Sequence, residues 1–330
     1  MTVNQNESDQ ARRERVYALL DMLGIEYGKV DHPAMFTQAD SELHPAQIDA
    51  VILKNLFLRN KDKSKYYLYS LPLTKRADLA AVAKALGETR LSFGDEYTLQ
   101  EKLNIQHGAV SFLNVIGLEH TDVSLLIDSS AFYCDQIGVH PNDNTATVIL
   151  NPQDIEKILF ACGVEYRFLS LESGKPAITK AQKEDAAEIL RLQYAAYQSE
   201  AILYNDFSIQ PLKQTLEQSI EEFQESIVLK AVNDGKIIGS VRAYEKGDTA
   251  FIGKLMVLPG YRDMGLGKRL LQSIENEFQV KRYELYTGAK SKKNLALYEK
   301  NGYARFKTEE AAPGLAFVYM EKPAGCSIGG

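Results

Sequence analysis

Apolar and polar positions follow two different periods along this chain of 330 residues. In the first half, segments 55–59 and 66–70 alternate around the polar turn 60–64, which predicts a β-hairpin. Helical periodicity occurs at 12–23, 78–86 and 151–161, and further apolar strands are predicted at 27–31, 123–127 and 147–149. This order of elements predicts an α+β domain of mixed strands and helices.

The second half opens with a different pattern. A hairpin is predicted at 227–232 and 236–244, turning at Asn233-Asp234-Gly235. The apolar strand 251–258 leads into a glycine-rich turn and then an amphipathic helix that continues through residue 274. Further elements are a strand at 178–179, helices at 183–199 and 211–225, a strand at 283–287 and a helix at 294–301. Ser, Gly and Pro at 171–176 interrupt the periodicity, so we predict two domains, 1–172 and 173–330.

Composition narrows the class of protein. The chain carries a net charge of −6, and residues 1–172 have 16 basic and 24 acidic side chains, or −8, which leaves +2 for the rest. Neither half resembles a basic protein that grips duplex nucleic acid, although a local basic run follows Lys54. No apolar run approaches the roughly 18 residues of a membrane span, and no signal-peptide core is present. Three scattered cysteines do not suggest disulfides or a metal cluster, so we expect a cytoplasmic protein without metal.

The glycine-rich turn after strand 251–258 is a candidate anion site. Backbone N–H groups and the helix dipole favour phosphate at a helix N-terminus, and Gly265 and Gly267 let a pyrophosphate approach the backbone. A dinucleotide-binding fingerprint would need glycine where Leu270 stands, and the spacing of a nucleotide-binding P-loop is absent. The sequence Arg-x-x-Gly-x-Gly from Arg262, on a strand–turn–helix, resembles motif A of the GNAT acetyltransferases.

A second pattern strengthens this resemblance. Asn294 and Tyr298 are four residues apart and share a helix face, and the helix is expected to end at Gly302. The resemblance covers about 175–323 and implies an acyl-CoA N-acyltransferase fold with acetyl-CoA as cofactor. It also implies that Asn294 contacts the pantetheine arm and that Tyr298 protonates the departing thiolate. The remaining residues implied to bind acetyl-CoA are Leu255, Val257, Arg262, Gly265, Gly267 and Lys268.

The acetyl acceptor and the general base remain open. A bulge near 255–257 is expected to aim a backbone N–H at the thioester carbonyl. Many GNAT proteins carry a glutamate on this strand, where the present chain has Lys254, and Glu245 and Glu284 are alternatives. No histidine follows His140, so an imidazole base is excluded from this half. The acceptor is an unidentified amine that would bind beside the variable segment 197–218.

Four motifs in the first half carry a second resemblance. They are the segments 32–37 (His-Pro-Ala-Met-Phe-Thr), 54–60 (Lys-Asn-Leu-Phe-Leu-Arg-Asn), 78–79 (Asp-Leu) and 140–147 (His-Pro-Asn-Asp-Asn-Thr-Ala-Thr). Over about 12–171, this order resembles the YbaK-like aminoacyl-tRNA deacylases, and most closely the branch associated with prolyl-tRNA synthetase. The resemblance implies hydrolysis of a mischarged tRNA, typically alanine on proline tRNA.

The residue types suit an ester at the single-stranded CCA end of a tRNA. Lys54 can orient a phosphate or the ester carbonyl, and His140 is the second catalytic candidate. The candidates for binding the adenosine and the aminoacyl group are Asn55, Asn144 and Thr145. The family usually has a proline after the serine or threonine of a pocket loop, whereas Ser111 precedes Phe112, which leaves the edited amino acid open.

Three hypotheses follow from the two resemblances. The first and favoured one is a bifunctional enzyme with a deacylase site and an acetyltransferase site. The second is an acetyltransferase whose first domain only binds tRNA. The third is a tRNA-binding adaptor that holds CoA as a structural ligand.

Overall fold

The computed structural model describes residues 8–34, 48–105, 108–118, 121–172, 174–312 and 314–325. Within it the chain forms two compact units, Met1–Leu171 and Glu172–Gly330. The division lies one residue before the boundary predicted from the Ser-Gly-Pro segment. Each unit is built around its own sheet.

The first unit is a mixed sheet of eight described strands with helices. The sheet order is β1-β7-β6-β2-β3-β5-β8, and β4 pairs with β2. The strands are β1 (Tyr27–Asp31), β2 (Val51–Asn60), β3 (Tyr66–Pro72), β4 (Leu91–Phe93), β5 (Val123–Asp128), β6 (Ile137–Val139), β7 (Ala146–Leu150) and β8 (Tyr166–Leu169). The helices are α1 (Asp9–Met22), α2 (Leu79–Leu86), α3 (Glu96–Leu103) and α4 (Ile155–Ala161).

Side-chain alternation along β3 creates a core on each side of this sheet. Leu68 packs in a large cluster with residues of α1, α3 and α4, whereas Tyr67, Tyr69 and Leu71 pack with Val82 of α2. Successive side chains of a strand point to opposite faces, so a strand with apolar residues on both faces can serve both cores. β3 lies between β2 and β5, and its run of apolar residues is interrupted by the buried Ser70 alone.

The second unit is a seven-stranded sheet of order β14-β15-β13-β12-β11-β10-β9. Its strands are β9 (Ala177–Lys180), β10 (Ile227–Asn233), β11 (Lys236–Lys246), β12 (Thr249–Val257), β13 (Arg282–Gly288), β14 (Ala304–Ala312) and β15 (Leu315–Pro323). Its helices are α5 (Ala186–Tyr204), α6 (Gln210–Lys213), α7 (Leu216–Glu225), α8 (Leu266–Glu275) and α9 (Lys292–Lys300).

Local turn chemistry explains two boundaries in this unit. Asp234 and Gly235 both have positive φ, 46° and 75°, as a tight hairpin turn requires, and they join β10 to β11. Gly302, with φ 91°, follows the end of α9, and its N–H donates to the carbonyl of Glu299. Both features were predicted from the sequence.

The bulge in β12 lies one residue earlier than expected. Ser240 pairs with Met256 and Arg242 with Gly253, so Lys254 and Leu255 together oppose the single residue between Ser240 and Arg242. Lys254 has φ 46°, a left-handed conformation that costs a non-glycine residue about 1–2 kcal/mol. The extra residue is Lys254, whereas the sequence placed the bulge at 255–257.

Several elements were not predicted. Strands β4 and β6 have only three residues each, which is too short for a period to be read. All nine residues of β14 are exposed, so this strand has no alternation between buried and exposed positions. The predicted helix 211–225 is interrupted, because Gln214 and Thr215 have extended conformations and Thr215 caps a new helix.

We predict that replacing Gly239 by alanine destabilises the second unit. A Cβ there would lie 2.9 Å from Leu270 and 3.2 Å from the backbone oxygen of Met256. Overpacking of this kind costs about 1–3 kcal/mol. Calorimetric melting of the full chain should show one transition moved to lower temperature.

Gly253 supplies the matched control for this substitution. It lies on the neighbouring strand, and a Cβ there would meet no atom within 4 Å. Gly253→Ala should change the stability by less than about 0.5 kcal/mol. Equal melting of the two variants would contradict the packing argument.

Candidate functional sites

The first candidate site lies where two parallel strands separate. β2 pairs with β6 only through Val51–Ile137 and Ile52–Gly138, after which β2 continues beside β3 and β6 ends. Lys54 and His140 each lie two residues beyond the last of these pairs, so both are at the same end of the fork. Residues at the carboxyl ends of diverging parallel strands border a natural crevice, and two predicted catalytic residues that are 86 positions apart in the sequence therefore border the same one.

Lys54 is held at the fork by a main-chain carbonyl. Its Nζ donates to the carbonyl oxygen of Leu73 at 2.8 Å. The Leu73 N–H donates back to Ile52 at 2.8 Å, and Lys75 of the same turn pairs with Asp128 at 2.8 Å. Burial lowers the pKa of Lys54 from its ordinary value. A partly desolvated ammonium with one hydrogen bond to a neutral oxygen retains two donors for a substrate.

Asn55 connects the fork to the pocket loop predicted from the sequence. Its Nδ2 donates to the Val110 carbonyl at 2.9 Å, and the Ser70 hydroxyl donates to its Oδ1 at 2.5 Å. Ser70 was missed, although the hairpin register makes it the direct cross-strand neighbour of Asn55. Both ends of the Asn55 amide are therefore engaged within the protein, which fixes the loop against β2.

The same loop is tied to the segment after β6. Asn114 donates to Asn142 at 2.7 Å and accepts from the Ser111 N–H at 2.6 Å. Asn142 has φ 64°, a conformation that asparagine tolerates better than most residues. Phe112, where the family usually has proline, is fully buried in the core. The three segments around the fork are thus joined by buried amide hydrogen bonds.

His140 lies near a second histidine, and the two rings are tilted by 59°. Its Nδ1 lies 3.0 Å from the Ala146 carbonyl, and its ring centroid lies 5.8 Å from that of His32. A carbonyl only accepts, so Nδ1 carries the proton and Nε2 has a free lone pair in the neutral ring. Burial is the largest cause of a lowered pKa of His140, and His32 lowers it further. The neutral ring is therefore the dominant form at pH 7.

Asn144 and Thr145 differ in how available they are. The Thr145 hydroxyl donates to Asp143 at 2.8 Å, and the Thr145 N–H donates to the same oxygen at 2.9 Å. The main role of Thr145 is therefore to fix the conformation of this loop. Asn144 is partly exposed, and its side chain has no hydrogen bond to the parts of the chain that the structure describes. The Met35-Phe36-Thr37 portion of the first motif lies outside the described residues.

The second candidate site lies at another separation of parallel strands. β12 and β13 pair from Thr249–Arg282 to Ile252–Leu285 and then part. The loop after β12 leads to α8, whose N-terminus has no side-chain cap. A Cβ on Gly265 would meet no protein atom within 4 Å, and one on Gly267 would make ordinary contacts with Leu297 at 3.5 Å and Val257 at 3.9 Å. The open backbone of this helix end can approach a pyrophosphate.

Arg262 and Lys268 beside this helix end have different environments. The Arg262 guanidinium donates to the carbonyls of Ala196 at 3.0 Å and Val257 at 3.4 Å. Its side chain therefore anchors the loop to α5 and β12. Lys268, in the first turn of α8, is exposed and adds positive charge at the helix end. Leu255 and Val257 lie on the part of β12 that is no longer paired with β13.

Asn294 and Tyr298 share one face of α9, as predicted, and a carboxylate from α5 joins them. Asn294 Nδ2 lies 3.2 Å from Glu200 Oε1, and Ser291 donates to the other oxygen of Glu200. Tyr298 is buried, and desolvation, with Glu200 second, raises the pKa of its hydroxyl. Glu200 was not predicted from the sequence. It lies 94 positions before Asn294, and no motif in α5 singles it out.

Lys254, at the bulge, enters a compact ionic cluster. It donates to Gln214, and its Nζ lies 3.2 Å from Glu222, which also pairs with Arg242. Burial, with Arg242 second, lowers the pKa of Lys254 to about 7. Glu222 opposes this shift, but its charge is shared between two cations. These residues line a small cavity beneath α7, and none of Lys254's partners was identified from the sequence.

The described residues contain no group of three His, Cys, Asp or Glu side chains arranged to hold a metal ion. No helix in the same part of the chain is long and apolar enough to cross a bilayer.

Comparison with known proteins assigns each half. Residues 34–158 match the family model of the aminoacyl-tRNA editing domain, and residues 187–303 match that of the GNAT acetyltransferase family. The prolyl-tRNA editing protein ProX of Acetoanaerobium sticklandii is 34% identical over 163 residues, 49% of this chain and 99% of that protein. The prolyl-tRNA synthetase associated domain-containing protein 1 of Mus musculus is 30% identical over 148 residues, 44% of this chain and 87% of that protein.

Solved structures similar to the chain cover slightly less than half of it. An N-acetyltransferase from Thermoplasma acidophilum in complex with coenzyme A is 21% identical, with a TM-score of 0.38, over 46% of this chain and 99% of its own. An N-acetyltransferase from Staphylococcus aureus is 18% identical, with the same TM-score and the same two coverages.

The fold and the two sites define a two-domain protein, with an editing domain followed by an acetyltransferase domain. The chain belongs to the prolyl-tRNA editing protein family through its first half, and residues 187–303 of its second half match the GNAT acetyltransferase family model.

We predict that His140 titrates below 6.5, the usual value for histidine. Its burial disfavours the imidazolium more than the Ala146 carbonyl stabilises it, so its pKa is lowered. NMR titration of histidine-labelled protein should show a neutral ring, protonated at Nδ1, throughout the neutral pH range. A midpoint for His140 at or above 6.5 would contradict the assignment of Nε2 as a free base.

Proposed function

We propose that the protein is a bifunctional enzyme. Its first domain hydrolyses the ester of a mischarged aminoacyl-tRNA, with alanine on proline tRNA as the expected substrate. Its second domain transfers acetyl from acetyl-CoA to an amine. The observation that carries the proposal is that each domain exposes chemically suitable groups where two parallel strands part. Both substrates are cytoplasmic, which places the enzyme in the cytoplasm.

Hydrolysis in the first domain needs an activated water and a stabilised oxyanion. The free Nε2 of His140 can accept a proton from water, because Nδ1 is occupied by the Ala146 carbonyl. Lys54 supplies a fixed positive charge for the ester carbonyl or the terminal phosphate. Asn144 and Thr145 border the place where the adenosine and aminoacyl group of the CCA end would lie. The tRNA binds by its tip, so the acidic charge of this half is compatible with binding.

The second domain fits an acyl-CoA at three places. The uncapped end of α8, with Gly265, Gly267 and Lys268, suits the pyrophosphate. The free backbone of β12 at Leu255 and Val257 suits the amides of pantetheine, and Asn294 lies farther along the same opening. The Arg262 side chain is already bound to two carbonyls, so we assign it to fixing the loop.

Acetyl-CoA supplies a thioester whose acyl carbon an amine can attack. Tyr298 is the proposed general acid, because its buried hydroxyl lies on the same face of α9 as Asn294 and carries a proton that the departing thiolate can take. The bulge at Lys254 and Leu255 interrupts the β11–β12 ladder and directs backbone N–H groups toward the opening, where they can stabilise an oxyanion.

The overall test is a deacylation assay on a panel of mischarged tRNAs with and without labelled acetyl-CoA. Release of free amino acid tests the first domain, and label on the aminoacyl group, free amines or peptides identifies the acceptor. Absence of hydrolysis together with tRNA binding would reduce the first domain to a binding module.

We predict that Lys54→Ala lowers deacylation of alanyl-tRNA by about 10²–10³-fold, the usual effect of removing a stabilising group from an ester-cleaving site. The variant should melt like the parent, since Lys54 makes one hydrogen bond and is not in the core. Lys84→Ala, an exposed lysine of α2, is the matched control. Parental activity in Lys54→Ala would locate the site elsewhere.

We predict that Tyr298→Phe lowers acetyl transfer by about 10²–10⁴-fold while acetyl-CoA binds nearly as before, because only the proton donor is lost. Calorimetry measures binding, and single-turnover release of the CoA thiol measures transfer to the best amine of the panel. Tyr244→Phe, an exposed tyrosine of β11, is the control. An unchanged single-turnover rate would make Tyr298 a core aromatic.

A further inference from the structure

Lys254 combines three features, of which the proposed acetyl transfer uses only the bulge. Its backbone is in the left-handed region inside a strand. Its side chain is 10% exposed and lies against Glu222. It occupies the bulge at which β12, already separated from β13, also breaks its pairing with β11. A strained, buried lysine at a proposed acyl-transfer site calls for a chemical explanation.

The charges around Lys254 come from two elements, and they do not balance its ammonium. α7 contributes Glu222, and β11 contributes Arg242. Arg242 pairs with the same carboxylate, and Gln214, the remaining polar neighbour, offers only a neutral oxygen. Two partly buried cations therefore share one carboxylate. This favours loss of a proton from lysine, because its ammonium is more acidic than the arginine guanidinium.

We propose that Lys254 is itself an acetyl acceptor, and that the protein acetylates this side chain from acetyl-CoA bound at the β12–β13 opening. The inference rests on the acyl-CoA binding proposed above. The thioester would lie against the backbone of the bulge, and the side chain of Lys254 starts from that backbone. No other lysine of β12 exists in the described strand.

The chemistry balances without another reactant. Nζ of neutral Lys254 attacks the thioester carbon, a C–N bond forms, and the C–S bond breaks. The thiolate takes the proton of Tyr298, and the proton lost from Lys254 passes to Glu222, 3.2 Å away. Glu222 then releases this proton to solvent, and solvent returns one to the Tyr298 phenolate. The products are an Nε-acetyl-lysine and the free thiol of CoA.

Acetylation would change the cluster in a defined way. The amide carries no charge, so Glu222 would be left to Arg242 alone. The acyl group would also occupy the cavity lined by Ser219, Glu222 and Met256. The modification therefore alters the charge and the free volume beside the proposed acetyl-transfer site.

The test is to incubate the full-length protein with labelled acetyl-CoA and to locate the label by peptide mass spectrometry. The expected result is one acetyl group on Lys254, formed at least about 10²-fold faster than on Lys246, because an exposed ammonium is almost wholly protonated at neutral pH. Labelling of Lys254 should rise with pH and level off above its pKa of about 7, whereas labelling of exposed lysines keeps rising. Excess CoA should suppress labelling of Lys254 alone.

Two variants complete the design. Lys254→Arg should remove the specific label, and Lys246→Arg, at the exposed end of β11, should leave it unchanged. If acetyl-CoA binds by calorimetry but Lys254 is labelled no faster than Lys246, the inference is wrong and acyl-CoA binding stands. If acetyl-CoA does not bind at all, the proposed acetyltransferase function fails and the inference fails with it. The pH profile of the parent protein keeps the test decisive even where Lys254→Arg folds poorly.

Discussion

Both domains depend on one constraint, which is that buried backbone N–H and C=O groups must form hydrogen bonds. Two parallel strands that part leave a row of such groups without their usual ladder, and the protein must satisfy them by other means. At the β2–β6 fork, side chains take this role for nearby main-chain carbonyls, with Lys54 donating to Leu73 and Asn55 donating to Val110. At the β12–β13 opening much of the row is left available, as a long extended ligand with its own amides requires.

This difference explains the contrast between the two sites. The first is closed by internal hydrogen bonds, so its chemistry rests on a few fixed side chains, Lys54 and His140 above all. The second is built largely from backbone, with Gly265 and Gly267 contributing by lacking side chains. A substitution in the first site therefore removes a functional group. A substitution of a glycine in the second site instead adds a side chain that keeps the ligand away from the backbone.

Sequence patterns predicted what is determined locally. The Asp234-Gly235 turn, the end of α9 at Gly302 and the i, i+4 pair Asn294–Tyr298 all depend on residues within one or two turns of chain. Partners from distant elements were missed, because nothing in α5 marks Glu200 and nothing in α7 marks Glu222. Strand β14 was missed for another reason, since none of its residues is buried.

The extra residue in β12 has a consequence for which changes of chain length the domain accepts. Ile252 and Met256 are an even number of positions apart, yet the bulge between them sends their side chains to opposite faces of the sheet. Deleting Lys254 would leave Gly253 opposite Arg242 and Met256 opposite Ser240, so the flanking side chains would keep their faces and only the irregular backbone would be lost. Keeping the residue but straightening the strand would instead turn Met256 and Val257 over. Shortening the chain at this point should therefore preserve the packing of the sheet while removing the feature on which the proposed acetyl transfer depends.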